Sequence, residues 1–177
     1  MEPFLFPDEL PIILDLVQSL PKDSKIVEWG SGGSTIKFVE TMRPDQRVIS
    51  IEHDKEWYDT VSLELNSLQK NNWTFFYTPE SPIYKHTIGS PDDENTIGLE
   101  DYIIPHRSIF DADLYFIDGI CRRSIALMLL AKAQKRNAVI LVHDYAQRQL
   151  YYNWLIELFP RSERLGTSLL RLYMTKK

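Results

Sequence analysis

Residues 26–35 read Ile-Val-Glu-Trp-Gly-Ser-Gly-Gly-Ser-Thr, and this stretch predicts a strand, a glycine-rich turn and the start of a helix. Glycine admits unusual backbone conformations and has no side chain to hold a ligand away from the main chain. The serine and threonine that close the stretch are residues that cap a helix N-terminus. A strand, a glycine turn and a helix start in this order form a cradle for a cofactor.

The spacing of the glycines narrows the kind of cofactor. A dinucleotide-binding fingerprint that starts at Gly30 and Gly32 needs a glycine or alanine where Thr35 stands. A Walker A phosphate loop needs a Gly-Lys pair, which the chain does not contain. What remains is an acid, Glu28, followed after one residue by a cluster of glycines. The alternative is an ordinary glycine turn between a strand and a helix of an α/β protein.

A second acid follows the next predicted strand, 48–51. Glu52 lies 22 residues after Gly30, and in nucleotide-binding folds an acid at this strand end accepts hydrogen bonds from ribose hydroxyls. We therefore expect Glu52 at the cofactor, with His53 beside it. The alternative is a solvated acid at the start of a helix, where the helix dipole favours it.

Two later predicted strands, 114–117 and 138–142, also end in polar residues. Ligands of open α/β sheets bind outside the carboxyl ends of the strands. We therefore expect four residues at one site: Asp118, Gly119, His143 and Asp144. His143 is the candidate general base, and Asp118 faces the cofactor or the acceptor. Helix capping is the alternative for both acids. No third ligand for Mg²⁺ stands out, so we expect no metal.

Three arginines lie close behind these strand ends: Arg122, Arg123 and Arg148. Guanidinium groups in such places suggest contact with an anionic acceptor or with the carboxylate of a cofactor. Together with Asp144, they are the expected substrate-binding residues. The alternative is that they are ordinary surface arginines.

Predicted strands and helices alternate along the chain, which predicts one doubly wound, mostly parallel α/β sheet with helices on both faces. Residues 168–174 alternate between apolar and polar and predict an antiparallel edge strand at the C-terminal end. The N-terminal helix is expected within 1–21 and a loop or insertion at 79–111, in a single domain over 1–177. The other predicted strands are 25–29 and 73–77.

Composition bounds the possible functions. The net charge of −5 disfavours a broad grip on nucleic acid, so no nucleic-acid partner is expected. Cys121 is the one cysteine and cannot form an internal disulfide. The acidic N-terminus is not that of a signal peptide, and no apolar run is as long as a membrane span. We expect a cytoplasmic protein with no membrane partner, and the oligomeric state is left open.

The polar residues that end the four predicted strands, taken together, resemble those of a class I S-adenosylmethionine-dependent methyltransferase. The resemblance is to a small, uncharacterised bacterial-type subgroup of that family. Glu28 and the glycines match the first motif of that family, and residues 113–119 resemble its D-x-x-x-I-D-G segment. The resemblance implies S-adenosyl-L-methionine as the cofactor. It implies cofactor contacts at Glu28, Gly30, Ser31, Gly32, Gly33, Ser34, Thr35, Glu52, His53, Asp118 and Gly119.

Two features depart from the family pattern. Metal-dependent catechol-type members have Asn where Tyr145 stands, which puts a metal in doubt. The proline-rich segment 79–111 replaces a helix of the family, and there Tyr84, Tyr102 and Arg107 are candidates for acceptor specificity.

The resemblance implies transfer of a methyl group from S-adenosylmethionine to a small-molecule or glycan-type acceptor, with O-methylation favoured. The alternatives are an NAD-dependent oxidoreductase and a non-catalytic module that binds S-adenosylmethionine on the same fold.

Overall fold

A computed structural model describes residues 1–82 and 96–175. The helices are α1 (Glu9–Ser19), α2 (Gly33–Thr41), α3 (Lys55–Ser67), α4 (Glu100–Ile103), α5 (Arg122–Lys132) and α6 (Gln149–Leu158). The strands are β1 (Lys25–Trp29), β2 (Arg47–Glu52), β3 (Trp73–Tyr77), β4 (Leu114–Ile117), β5 (Val139–Val142), β6 (Arg161–Leu165) and β7 (Leu169–Tyr173).

The strands form one seven-stranded sheet in the order β3-β2-β1-β4-β5-β7-β6. The first five in this order pair in parallel, β7 runs antiparallel to β5, and β6 runs antiparallel to β7. The chain moves outward from β1 to β3 and then returns to place β4 on the other side of β1. The carboxyl ends of β1 and β4 therefore meet at the switch point, which is where open α/β sheets bind ligands.

Helices cover both faces of the sheet, as the alternation of strands and helices predicts. On one face, Val17 of α1, Phe38 of α2 and Leu65 of α3 are buried against the sheet, and the rings of Phe38 and Phe116 meet edge to face at 5.7 Å. On the other, Leu129 of α5 and Leu155 of α6 are buried. The doubly wound fold is confirmed.

Two features differ from the sequence predictions. The antiparallel edge strand of the sheet is β6, which the sequence analysis missed, and the predicted strand β7 lies between β6 and β5. β6 reads Arg-Ser-Glu-Arg-Leu and has no buried residue, so it lacks the apolar alternation that marks a strand. Such charged edge strands resist pairing with other chains.

The predicted loop at 79–111 contains regular structure in its second half. It holds α4 and a 3-10 turn at Arg107–Ile109, because fully buried Tyr102 packs the short helix against the sheet. The main-chain oxygen of Tyr102 accepts a 2.9 Å hydrogen bond from Trp29 Nε1. Tyr84 lies outside the described residues.

The helices of the described residues are all too short or too polar to cross a bilayer. The expected cytoplasmic location stays a prediction.

Candidate functional site

A cleft of about 710 Å³ opens at the carboxyl ends of β1, β2, β4 and β5. It brings together nine of the residues that the sequence singled out: Gly30, Ser31, Glu52, His53, Asp118, Gly119, Arg122, His143 and Asp144. The sequence analysis did not assign the rest of the lining to a site: Phe4, Asp54, Glu56, Trp57 and Thr60. Trp57 packs against the core at the edge of α3, and its indole nitrogen donates to the main-chain oxygen of Ser31.

Gly30 and Gly119 let the ends of β1 and β4 approach each other at the floor of the cleft. Gly30 has φ of +85°, and a Cβ at this position would lie 2.4 Å from the amide nitrogen of Gly119. The amide of Gly30 donates to the oxygen of Ile51 at 3.0 Å, and that of Gly119 to the oxygen of Trp29 at 2.8 Å. The close approach of these two backbone segments therefore requires glycine at position 30.

Glu52 is held rigidly at the end of β2. Its Oε2 accepts hydrogen bonds from both the amide and the hydroxyl of Ser31 at 2.9 Å. Its Oε1 accepts from the amides of His53 and Asp54 at 2.8 and 2.9 Å. Burial alone would raise the pKa of this carboxyl, but His53 and the two backbone N–H groups outweigh burial and lower it. Glu52 is therefore a fixed negative charge on the wall of the cleft.

Glu28 lies beneath the glycine turn and outside the lining that the described residues give the cleft. It is fully buried on the α2 side of the sheet, where its carboxyl accepts from Ser34 and Thr35 at 2.5 Å and from Ser50 at 2.8 Å. Burial, opposed by these three hydroxyls, raises its pKa to about 7. Its contacts tie β1 and β2 to the first turn of α2, so Glu28 supports the turn from below.

The other expected cofactor residues outside the lining are Gly32, Gly33, Ser34 and Thr35. Ser34 and Thr35 contact Glu28, and Thr35 Oγ1 also accepts from the amide of Gly32 at 2.8 Å. Gly33 lies under the N-terminal residues, because a Cβ there would be 2.2 Å from the nitrogen of Pro3. Their contacts with a cofactor stay a prediction.

His143 lies between two carboxylates at the inner end of the cleft. Its Nδ1 is 2.5 Å from Oδ1 of Asp118, and its Nε2 is 3.1 Å from Oε2 of Glu9. Burial alone would lower the pKa of the imidazole, but Asp118, Asp144 and Glu9 together raise it. The geometry favours an imidazolium that donates from both nitrogens, which leaves His143 unsuited to accept a proton from a substrate.

Glu9 is a part of this site that the sequence analysis missed. It is fully buried on α1, and besides His143 it accepts from the amides of Phe6 at 3.0 Å and Ser168 at 2.6 Å. A signal was present in the sequence, because Glu9, Ile13 and Val17 are spaced four apart and form the buried stripe of α1. An acid in such a stripe needs buried partners.

Arg122 joins the two acids that face the cleft. Its Nη1 lies 3.1 Å from Oδ2 of Asp144, and its Nη2 donates to the main-chain oxygen of Asp118 at 2.7 Å and lies 3.5 Å from Oδ1 of that residue. Burial alone would lower the pKa of this guanidinium, but Tyr152 and the two acids outweigh burial and raise the pKa above its usual value. Arg122 therefore neutralises much of the negative charge at this end of the cleft.

The other two candidate arginines lie outside the lining of the cleft as the described residues define it. The guanidinium of Arg123 stacks 5.6 Å above the ring of Trp154, and Arg148 is the N-cap residue that precedes α6. Contact of either residue with a substrate stays a prediction.

Asp118, His143 and Asp144 have the spacing of a metal site, with one ligand atom from each within 4.8 Å of the others. Two positive groups already serve these acids, however, because Arg122 contacts both and His143 contacts Asp118. A divalent cation would have to compete with both. The expectation of no metal stays a prediction.

The charges around the cleft do not balance. Five carboxylates line it, and they face the positive groups of Arg122 and protonated His143: Glu52, Asp54, Glu56, Asp118 and Asp144. Buried Glu9 lies behind the imidazole and adds a sixth. The surplus is negative, and it favours a ligand that carries positive charge.

The chain is similar in structure to several solved methyltransferases. One is a putative caffeoyl-CoA O-methyltransferase from Staphylococcus aureus, at 16% identity and a TM-score of 0.67 over 97% of this chain and 86% of that one. Another is a methyltransferase from Geobacter sulfurreducens, at 14% identity and 0.65 over 97% and 80%. A third is an RNA methyltransferase from Salinibacter ruber in complex with S-adenosyl-L-homocysteine, at 12% identity and 0.57 over 97% and 94%.

No protein-family model and no curated protein matches the sequence. The structural likeness extends over nearly the whole chain, and the chain has the fold that these methyltransferases share.

Proposed function

We propose that this chain transfers a methyl group from S-adenosyl-L-methionine to a hydroxyl of a small molecule. The observation that carries the proposal is the position of Glu52, a buried and ionised carboxylate at the end of β2, one strand from the glycine turn. An acid in this place is suited to hold the hydroxyls of a ribose. The shared fold supports the same ligand, because the Salinibacter protein was solved with S-adenosyl-L-homocysteine.

The lining of the cleft fits such a donor. The volume of about 710 Å³ is in the range of small-molecule sites, and the negative surplus suits a ligand with a sulfonium and an ammonium group. Glu52 would take the ribose, whose hydroxyl would replace that of Ser31 on Oε2. Asp118 would face the ammonium group, and the bare backbone of Gly30 and Gly119 would leave room for the chain between them.

S-adenosylmethionine supplies a methyl group that its sulfonium already activates. The residues of the chain then need to align the acceptor, exclude water and receive its proton. Asp144 is the residue we assign to the proton, because its carboxylate lines the cleft and its Oδ1 makes a long, 3.5 Å ion-pair contact with His143, whereas Oδ2 pairs with Arg122 at 3.1 Å. His143, first expected as the base, is assigned to positioning, because it fixes the carboxylate of Asp118.

The same charges argue against a nucleic-acid acceptor. The net charge is −5, and the cleft itself has more carboxylates than cations. A phosphate backbone would meet repulsion here. We therefore propose a small acceptor, although the Salinibacter protein of the same fold is an RNA methyltransferase.

Calorimetric titration with S-adenosylhomocysteine tests the proposal. We expect the wild-type chain to bind it, and Glu52→Ala to bind at least about tenfold more weakly, which is 1.4 kcal/mol. Glu157→Ala, at an exposed position on α6, is the matched control and should bind as wild type does. A folded wild-type sample that binds NADH and not S-adenosylhomocysteine would contradict the proposal and support an oxidoreductase.

Catalysis needs its own experiment. Production of S-adenosylhomocysteine from S-adenosylmethionine across a panel of hydroxylated compounds would separate an enzyme from a binding module. Tight binding without turnover across the panel would favour the non-catalytic alternative.

A further inference from the structure

A second cavity, of about 390 Å³, lies beside the cleft and is mostly apolar. The N-terminal segment, residues 3–7, forms one wall, and His143, Asp144 and Gln147 form the polar end. Phe4, His143 and Asp144 line both this cavity and the cleft. The two spaces therefore meet at these three side chains.

The N-terminal segment has a fixed position on the body of the protein. The amino group of Met1 pairs with Glu64 of α3 at 2.6 Å, and the amide of Phe6 donates to Oε2 of Glu9 at 3.0 Å. Between these anchors, Pro3 packs against Gly33 so closely that a Cβ on the glycine would have no room. The wall that the segment gives to the cavity is therefore part of the fold.

Phe4 is the exposed member of this segment. Leu5 packs against the core beneath it, whereas the ring of Phe4 is 82% exposed at the border of the two cavities. Covering the ring of a phenylalanine removes apolar surface from water, which stabilises the complex. An aromatic partner adds an offset or edge-to-face contact with the ring. The position of Phe4 thus favours a ligand with a flat apolar body.

The polar end of the cavity sets the charge of that ligand. Asp144 and the protonated His143 both face the two spaces, but the imidazole is already paired with Asp118 and Glu9. A carboxylate or phosphate on the ligand would meet Asp144 and find Arg122 already engaged. An uncharged hydroxyl would instead donate to Oδ1 of Asp144, which lies 3.5 Å from His143 Nδ1, beyond ordinary hydrogen-bond length.

We propose that the small cavity is the acceptor site and that it takes an uncharged, hydroxylated aromatic molecule. The ring of the acceptor stacks on Phe4, and its hydroxyl points to Asp144, toward the donor in the cleft. This inference rests on the proposed function. In the reaction, the acceptor oxygen forms a bond to the methyl carbon as the carbon–sulfur bond breaks, and the hydroxyl proton passes to Asp144.

Binding of 2-naphthol, measured by ligand-detected NMR on the chain without a donor, tests the site. We expect wild type to bind 2-naphthol and to bind its anionic counterpart 2-naphthoate at least fivefold more weakly. Phe4→Ala should weaken 2-naphthol binding at least fivefold, whereas Phe4→Trp keeps the aromatic wall and should retain binding. Leu63→Ala is the matched control, because Leu63 is 75% exposed on α3 and lies outside both linings of the described residues.

Equal binding of 2-naphthol by wild type and Phe4→Ala would overturn the inference, as would tighter binding of 2-naphthoate. A wild-type chain that binds S-adenosylhomocysteine but not 2-naphthol would overturn this inference and leave the proposed function standing. A third outcome is a chain that binds 2-naphthol at Phe4 but does not bind S-adenosylhomocysteine. The ligand class of the cavity would then stand, but the proposed function and the role of the cavity as an acceptor site would both be overturned.

Discussion

Oε2 of Glu9 lies 3.1 Å from Nε2 of His143, although the two residues are 134 positions apart in the chain. Both are buried, Glu9 at 0% exposure and His143 at 4%. Because the other ring nitrogen faces Asp118, the contact holds the imidazole in its charged form. It also ties α1, which packs outside the sheet, to the end of β5 at the cleft.

Glu9→Gln should lower the pKa of His143, because it removes one of the carboxylates that raise it. In wild type the raised pKa stabilises the fold below about pH 6.5, and this contribution is lost as pH rises through the pKa of the folded state. The variant should lose part of this pH dependence and about 1–3 kcal/mol of unfolding free energy near pH 6. NMR titration of the His143 ring and urea unfolding measure the two effects, with Glu157→Gln as the exposed control. An unchanged pKa would show that Glu9 does not act on the ring.

Glu28 should make the protein less stable as pH rises from about 4.5 to 7. Its pKa is raised from 4.5 to about 7 in the folded state, so the folded chain binds a proton that the unfolded chain has lost. The loss over this range is on the order of 3 kcal/mol at about 1.4 kcal/mol per pH unit. Urea unfolding of wild type at several pH values measures it.

Glu28→Gln isolates this effect, because glutamine keeps the shape of the side chain without a titrating proton. The variant should flatten the dependence of unfolding free energy on pH between 4.5 and 7 relative to wild type. If the two proteins show the same slope, the pH dependence comes from another group.

Gly30→Ala should destabilise the fold by at least about 2 kcal/mol. The residue has φ of +85°, which costs a residue with a Cβ roughly 1–2 kcal/mol, and the added carbon would lie 2.4 Å from backbone of Gly119. Gly32→Ala is the matched control two positions away, because a Cβ there has its nearest contact at 3.6 Å, on the Trp57 ring. Urea unfolding of both variants measures the difference. Equal stability of the two would show that the Gly30–Gly119 contact can relax.

The sequence predicts the parallel half of the fold well, because its strands are short apolar runs that end in polar residues. The same rule places Glu52 and Asp118 at the cleft, since the carboxyl ends of parallel strands share one edge of the sheet. The sequence analysis missed β6, because its charged residues pair as an edge strand without burying a side chain.

The sequence did not separate residues that line the cleft from residues that support it. Glu28 and Thr35 both belong to the glycine motif. In β1, Trp29 points to one face of the sheet and Glu28 to the other, toward α2, so Glu28 meets Thr35 beneath the turn.

The sequence analysis also missed Phe4 and Glu9. Their roles depend on where the N-terminal residues pack. The buried stripe of α1 marks Glu9 as an acid that needs a partner, but local spacing does not show that the partner is His143, 134 positions away.

Arg122 should determine whether the site binds a divalent cation. In wild type its guanidinium lies 3.1 Å from Oδ2 of Asp144 and 3.5 Å from Oδ1 of Asp118, where it compensates both acids. We therefore expect no binding of Mg²⁺ by wild type in calorimetric titration, and no change in S-adenosylhomocysteine affinity on adding EDTA.

Arg122→Ala leaves the two carboxylates beside one another and should gain Mg²⁺ binding, because Mg²⁺ prefers carboxylates and water. Arg123→Ala, which removes the neighbouring guanidinium from its place over Trp154, is the control and should bind no Mg²⁺. Binding of Mg²⁺ by wild type, lost in Asp144→Asn, would show instead that the cation displaces Arg122 and that Asp118, His143 and Asp144 form a metal site.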